Sequence, residues 1–542
     1  MKKKTLFGLG LSSALLFTLA STTTAKADSS KDLNYYFPTD ITSLDISKNT
    51  DTYSATVLGN SGANLLRIDK KGKPVLDLAK SIKHSDDGLT YTLVLKDNLK
   101  WSDGSDLTAN DFVYTWQRIV DPKTASQYAY LATDVIKNAD DINSGKNTNM
   151  ADLGVKADGN TITFTLAHPA PQFEYLLAFS NFMPQKESFV TKAGKKYGTS
   201  SEQQIYSGPY VFKGWNGSNN SFKLVKNKYY WNAKAVKTET INLKVIKKPE
   251  SALQLYKQGK LDAVSIIATP SMYAANKKNK DVKSIPMART DYIEYNQTGQ
   301  VKALANKKIR QALNLATNRA GLVKSVTGGS YKKATGLAPT GLAVTDTGQD
   351  LAKFANSGYT YNLKEAKKVW KEGLAELGQS KITLKFEADA DNPTRKSMVD
   401  YLKGAWEKAL PGLTIEEKFV PFKQRLQDQQ TQNFDIILGS WGGDYPEGST
   451  FYGLFSEGSG YNSGLFANQT YIDTYKKATT TDALNEKERA NDYKILEKTL
   501  MEEANINPIA FQSNESLVNP DVKGVVRNST GTTDDWTYAY KK

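Results

Sequence analysis

The chain has 542 residues, 71 Lys and Arg against 57 Asp and Glu, a formal charge of +14, and no cysteine. At about 100–200 residues per domain, this length calls for several domains or one large lobed fold. Disulfides, zinc–thiolate centres, Cys nucleophiles and a lipidated Cys are excluded, and two histidines, His84 and His168, leave little for a metal site or a histidine triad.

Residues 1–27 read as a secretion signal. Lys2, Lys3 and Lys4 precede an apolar run from Leu6 to Ala20, and Ala25-Lys26-Ala27 supplies a small-x-small cleavage pattern before Asp28. The run is shorter than the roughly 20 residues a membrane span needs. Removing Lys2, Lys3, Lys4 and Lys26 leaves a mature charge of +10. Lys244, Lys247, Lys248, Lys277, Lys278 and Lys280 lie among acidic residues, with no nucleic-acid motif, so no nucleic-acid partner is expected. The charge fits either a solvated surface or long-range attraction to anionic cell-wall polymers.

From Asp32 to Lys80, short apolar stretches such as Ala55–Leu58 and Ala63–Ile68 alternate with turns. Tyr91–Leu95 and Asn160–Leu166 alternate as strands, and Thr108 with Asp111 opens a helix carrying Phe112, Val113 and Trp116. Tyr210–Phe212 and Phe222–Val225 read as a strand pair. A helix over Ser251–Gln258, stopped by Gly259, leads to a strand at Ala263–Ile267. Ile309, Ala312, Leu313 and Ala316 fall on one helix face. Strands at Ile382–Phe386, Leu413–Phe419 and Phe434–Leu438 interleave with helices near Lys396–Leu410 and Gln424–Gln430, and Glu486–Glu503 is a long helix. This alternation predicts α/β lobes with mixed sheets.

Enzyme templates find no match. The Gly8-Leu9-Gly10 pattern lies in the signal, no phosphate-binding loop or nucleophile elbow occurs, and Ser330 with Lys333 sits in a glycine turn. No catalytic residue, cofactor or metal is expected. The aromatic content is more telling: 29 Tyr, 20 Phe and 8 Trp, several in polar settings such as Trp441-Gly442-Gly443-Asp444-Tyr445. Aromatic walls beside one carboxylate and two glycines make a binding pocket with a charged anchor.

Several segments, in order, resemble the extracellular oligopeptide-binding proteins of ABC importers, the family 5 solute-binding proteins. They are Trp101-Ser102-Asp103-Gly104 with Leu107–Trp116, Asp121–Tyr128, Ser207-Gly208-Pro209-Tyr210, Leu255–Asp262, Asn306–Leu313 and Gly443-Asp444-Tyr445-Pro446-Glu447. The resemblance implies a two-lobed α/β fold of the periplasmic-binding-protein type, with mixed sheets, an additional domain and a cleft between the lobes. It divides the chain into the first part of lobe 1 (28–75), an extra domain (76–199), the second part of lobe 1 (200–285), lobe 2 (286–504) and a return to lobe 1 (505–542).

It further implies an extended oligopeptide bound by strand addition and delivered to separate permease and ATPase subunits. Asp444 is then the acceptor of the peptide ammonium. Trp441, Tyr128 and Phe422 line the cleft beside Gly442 and Gly443, and Thr50 with Asp51 occupies the place of an acidic cleft residue. Leu438 and Gln429 stand where a relative has arginines, which leaves capture of the peptide carboxylate and the preferred peptide length open. A receptor for a signalling or cell-wall peptide, and a basic surface adhesin for cell wall or host matrix, are the alternative readings.

Overall fold

A computed structural model describes residues 31–285 and 287–542; the segment 1–27, read from sequence as a secretion signal, lies outside the described residues. Among the described residues, seven sheets carry the architecture. In a four-stranded sheet Leu33–Phe37 runs parallel to Thr240–Val245, followed by Ser221–Lys226 and Tyr210–Lys213. Its neighbour in sequence, a three-stranded sheet, places Asn514–Val518 between Ala263–Ser265 and Val282–Ile285. A separate four-stranded antiparallel sheet is built from Ala79–His84, Thr90–Leu95, Thr161–Thr165 and Val155–Asp158.

The six-stranded mixed sheet has the order Lys332–Lys333, Ile506–Phe511, Arg289–Tyr295, Ile436–Gly442, Ile382–Asp389, Leu413–Val420. Helices Lys307–Leu315 and Pro393–Ala409 join its apolar core through Ile309, Ala312 and Leu313, and through Met398, Val399, Leu402 and Trp406. A second, larger core runs through both four-stranded sheets and through the aromatic segment around Trp441 and Tyr452, while the three-stranded sheet packs a small cluster of its own around Val264 and Leu517. The chain therefore forms an α/β fold with mixed sheets around two main cores.

Local chemistry explains most element ends. Asn306, Asn362, Asn392, Asn468 and Asn485 each cap a helix by accepting backbone N–H groups. At helix Ala109–Val120 the Asp111 carboxylate accepts the Thr108 N–H at 2.7 Å. Gly259, at φ +69, follows helix Pro249–Lys257 in the left-handed region.

Two expectations are corrected. Ala55–Leu58 is no isolated apolar stretch but the middle of helix Thr52–Ser61, capped by Asp51. Its Thr and Ser residues hid the period, yet Thr56 and Ser61 return their hydroxyls to Thr52 and Val57 carbonyls one turn earlier. The strand expected at Phe434–Leu438 begins at Ile436 and continues to Gly442, because Arg289–Tyr295 pairs with it along its whole length, Arg289 opposite Gly442. Near the C-terminus, Ile506–Phe511 belongs to the six-stranded sheet and Asn514–Val518 to the three-stranded one.

Candidate functional site

Strand Ile436–Gly442 organises the site. On one side it is fully paired with Arg289–Tyr295; on the other it meets Ile382–Asp389 only at Ile436 and Ile437. From Gly439 to Gly442 that second edge has no strand neighbour among the described residues. It borders a cavity of about 430 Å³, walled by segments from both cores. All eight residues singled out from the sequence line it: Thr50, Asp51, Tyr128, Phe422, Trp441, Gly442, Gly443 and Asp444.

The backbone holds Asp444 firmly. Gly443 N–H donates to the Ala288 carbonyl at 2.8 Å, the Gly443 carbonyl accepts from Gly531 N–H at 2.8 Å, and Asp444 N–H donates to Thr450 Oγ1 at 2.8 Å. A Cβ on Gly443 would press on Leu342, Thr530 and Phe451 at 3.0–3.3 Å. The Asp444 carboxylate takes the Tyr128 hydroxyl at 3.2 Å, with Thr450 Oγ1 at a marginal 3.5 Å. It lines the cavity, and no cationic side chain comes within 4.0 Å among the described residues. Burial pushes its pKa up to about 7, against the pull of Tyr128 and Thr450 and of the more distant Arg289. An ionised carboxylate in this place lacks a cation.

Tyr128 reaches Asp444 through a strained turn. Ala125 sits at φ +51, a left-handed conformation unfavourable to a residue with a Cβ. It lets Ser126 donate to the Ser47 carbonyl at 2.6 Å and accept the Tyr128 N–H at 3.2 Å. The Tyr128 ring lies 5.6 Å from Tyr461 and 6.3 Å from Trp441, and Trp441 meets Tyr461 edge-on at 4.6 Å. These three rings make a rigid apolar wall beside the carboxylate. Phe422 packs edge-on against Tyr53 at 6.1 Å.

Asp51 lines the cavity but is committed to the fold. It accepts Tyr53 N–H at 3.0 Å, Ser54 N–H at 2.8 Å and the Thr42 hydroxyl at 2.5 Å. Leu438 is fully buried in the core, whereas Gln429 reaches the cavity, donates to Glu294 at 2.8 Å and accepts from Arg425 at 2.6 Å.

A second charged group was not foreseen from sequence: Arg289, Arg395 and Arg425 with Asp291 and Asp389. Arg395 pairs with Asp389 and lies 3.6 Å from Asp291, and Arg425 pairs with Asp389 at 2.8 Å. Burial opposes ionisation of Asp389, but the two guanidiniums outweigh it and hold its carboxyl below the usual range. No short motif announces this cluster; its members come from two strands and two helices.

Comparison with known proteins follows the same lines. Residues 73–463 match the family model described as bacterial extracellular solute-binding proteins, family 5 Middle. The chain is 46% identical to a dipeptide-binding protein of Lactococcus lactis subsp. cremoris over 100% of both chains. Peptide-bound OppA of Listeria monocytogenes is 35% identical and superposes with a TM-score of 0.89, covering 94% of this chain and 99% of that one. The Escherichia coli murein tripeptide-binding protein MppA is 28% identical; one of its structures gives 0.86 over 94% of this chain and 98% of MppA. MppA in its unliganded open form gives only 0.62 over 94% and 97%. The arrangement of this chain is therefore unlike that open form.

Proposed function

Because the chain belongs to the bacterial extracellular solute-binding proteins of family 5, we propose that it captures peptides outside the cytoplasm and delivers them to the permease and ATPase subunits of an ABC importer. The observation that carries this reading is Asp444: a carboxylate lining the cavity, with no cationic partner among the described residues, beside a strand edge that has no strand neighbour among them. A peptide supplies both complements. Its α-ammonium neutralises Asp444, and its extended backbone adds to the edge Gly439–Gly442, giving affinity that depends little on side chains. Trp441, Tyr128 and Phe422 provide the apolar walls, Gly442 and Gly443 the close backbone approach, and Thr50 a hydroxyl at the rim. Relatives named for dipeptides, oligopeptides and a murein tripeptide support peptide as the cargo. Closure of two lobes on the ligand by a hinge completes the cycle.

The test is the cargo itself. Protein purified under native conditions, then denatured, should release peptides detectable by mass spectrometry at near-stoichiometric amounts. Release of no peptide, together with no binding of synthetic peptides by the refolded protein, would remove this reading.

Export through the signal at 1–27 follows from the same assignment, and among the described residues no helix is long and apolar enough to cross a membrane. With no Cys to lipidate and a mature charge of +10, attachment to anionic wall polymers is electrostatic. A wash in about 1 M salt, where the Debye length falls to about 3 Å, should strip the protein from cells. Retention until detergent or wall digestion would argue against it.

A further inference from the structure

Of the eight tryptophans seven are buried, and Trp231 alone is exposed, at 40%. Tyr229 beside it is 37% exposed, and Val75 and Leu76 are 39% and 40% exposed. Asp77 brings the two segments together. Its carboxylate accepts Trp231 Nε1 at 2.7 Å and the Tyr230 hydroxyl at 3.0 Å, which ties the turn at 227–231 to the end of strand Pro74–Leu76. Among the described residues that strand pairs with Leu66–Ile68 alone, and its successive side chains point to opposite faces. Val75 and Leu76 are both exposed, so neither face of the ribbon is covered there. Single exposed apolar residues are ordinary. Here four of the ten exposed large apolar side chains among the described residues gather in one place, which marks an interaction surface.

Positive charge lies around them. Lys96 Nζ is 4.4 Å from the Trp231 ring centre, and Lys228 Nζ is 4.8 Å from that of Tyr229. Lys70, Lys71 and Lys73 form the exposed tip of the ribbon. Lys73 stands four residues before Asp77, about 13 Å along an extended strand. None of these five lysines has a carboxylate within 4.0 Å among the described residues. The acids on this side are mostly engaged. Asp69 accepts the Lys71 and Lys73 N–H groups at 2.8 and 3.0 Å, and Asp97 pairs with Lys80 at 3.1 Å. Asp535 pairs with Arg67, Asp103 with Lys186 and Asp106 with Lys100. Glu174, near Tyr175, is left without a cation.

We propose that this patch is a docking surface for an anionic phospholipid bilayer, the outer face of the producing cell's membrane. Trp and Tyr rings settle at the level of lipid headgroups, aliphatic side chains enter just below them, and lysines meet the anionic headgroups. An anionic wall polymer would use the lysines but leave Val75, Leu76 and Trp231 without a role. None of the four apolar residues lines the cavity, so the inference does not depend on which solute the cavity holds. The contact places a chain with no lipidated cysteine beside a membrane-embedded permease. It also agrees with release in about 1 M salt, which screens the lysines and leaves an apolar contact too small to hold the protein alone.

Vesicles and the full mature chain test this. Sedimentation with phosphatidylcholine vesicles containing about one third phosphatidylglycerol, at low salt, should show binding about tenfold or more tighter than with phosphatidylcholine alone. Brominated acyl chains in the anionic vesicles should quench Trp231, and Trp231→Phe should abolish that quenching. Val75→Ser with Leu76→Ser, which keeps every charge, should weaken vesicle binding at least about threefold, as should Lys70→Gln with Lys71→Gln and Lys73→Gln. Both variants should keep wild-type peptide affinity and unfolding midpoint. The proposal is overturned if wild type does not distinguish the two vesicles, or if brominated lipid does not quench it; neither reading needs a variant to fold. Quenching that persists in Trp231→Phe places the contact elsewhere and also overturns it. Undiminished vesicle binding by the serine variant overturns it as well; equal binding of wild type and that variant to poly(glycerol phosphate) would then assign the lysines to a wall polymer.

Discussion

The Tyr128 hydroxyl donates to the Asp444 carboxylate at 3.2 Å, a bond that joins residues 316 positions apart. It ties an aromatic segment of the first half of the chain to the end of the central strand in the second. It also opposes the effect of burial on the protonation of that carboxylate. Burial dominates and raises Asp444 to about 7, and Tyr128 is the first group pulling the other way.

Tyr128→Phe removes that donor and nothing else of the ring. Peptide affinity should fall about tenfold, the scale of a lost hydrogen bond to a charged group, about 1.5 kcal/mol. Calorimetry at pH 7.5 checks this, and unchanged affinity would separate Tyr128 from the anchor.

The pH dependence follows with a definite sign. An ammonium needs the ionised carboxylate, and burial in the cavity favours the protonated one below about 7. Affinity should therefore fall about tenfold per unit as pH drops below about 6, and Asp444→Asn should flatten the profile. For folding stability the linkage is opposite: the pKa is raised above its unfolded value of about 3.9, so the stability contribution present in acid is lost as pH rises through about 7. Titrations between pH 5 and 8 in two buffers of different ionisation enthalpy measure the proton released on binding.

Asp51 separates a fold role from a binding role. Asp51→Ala should lower stability by about 1–2 kcal/mol through loss of the cap on helix Thr52–Ser61. Peptide affinity of the folded fraction should change by less than about threefold. A large loss of affinity with an unchanged melting point would reverse that assignment.

Gly208 lies in the Ser-Gly-Pro-Tyr segment, and its N–H donates to the Ser61 carbonyl at 2.9 Å. A Cβ there would collide with the Gly62 backbone, which has nowhere to retreat. Gly208→Ala should cost about 1–3 kcal/mol, read as a lower unfolding midpoint in denaturant. An unchanged midpoint would mean that the helix end moves freely.

Much of the fold was legible because the signals were local. Ile309, Ala312 and Leu313 mark a buried helix face by spacing alone, and Ile162 and Phe164 mark a strand face. Helix Thr52–Ser61 was not legible, since its buried face includes Ser54, Thr56 and Asn60, whose polarity hides the period. The reach of strand Ile436–Gly442 was hidden for another reason: Gly439, Ser440 and Gly442 carry no strand signal, and only the partner strand keeps them extended. At the site, the family resemblance led to residues that do share one cavity. The cluster of Arg289, Arg395 and Arg425 with Asp291 and Asp389 escaped because only the fold brings its two strands and two helices together.

The most direct measurement is a four-way calorimetric cycle with wild type and Asp444→Asn, each against a free and an N-acetylated peptide. Asparagine keeps the shape and removes the charge. The variant should lose about 2–5 kcal/mol, roughly 30-fold or more in affinity, and acetylation should cost wild type a comparable amount. Acetylation should then cost the variant little more, because both changes break the same ion pair. If the variant and the acetylated peptide each bind within about threefold of the parent pair, Asp444 does not anchor the peptide and the account fails at its centre.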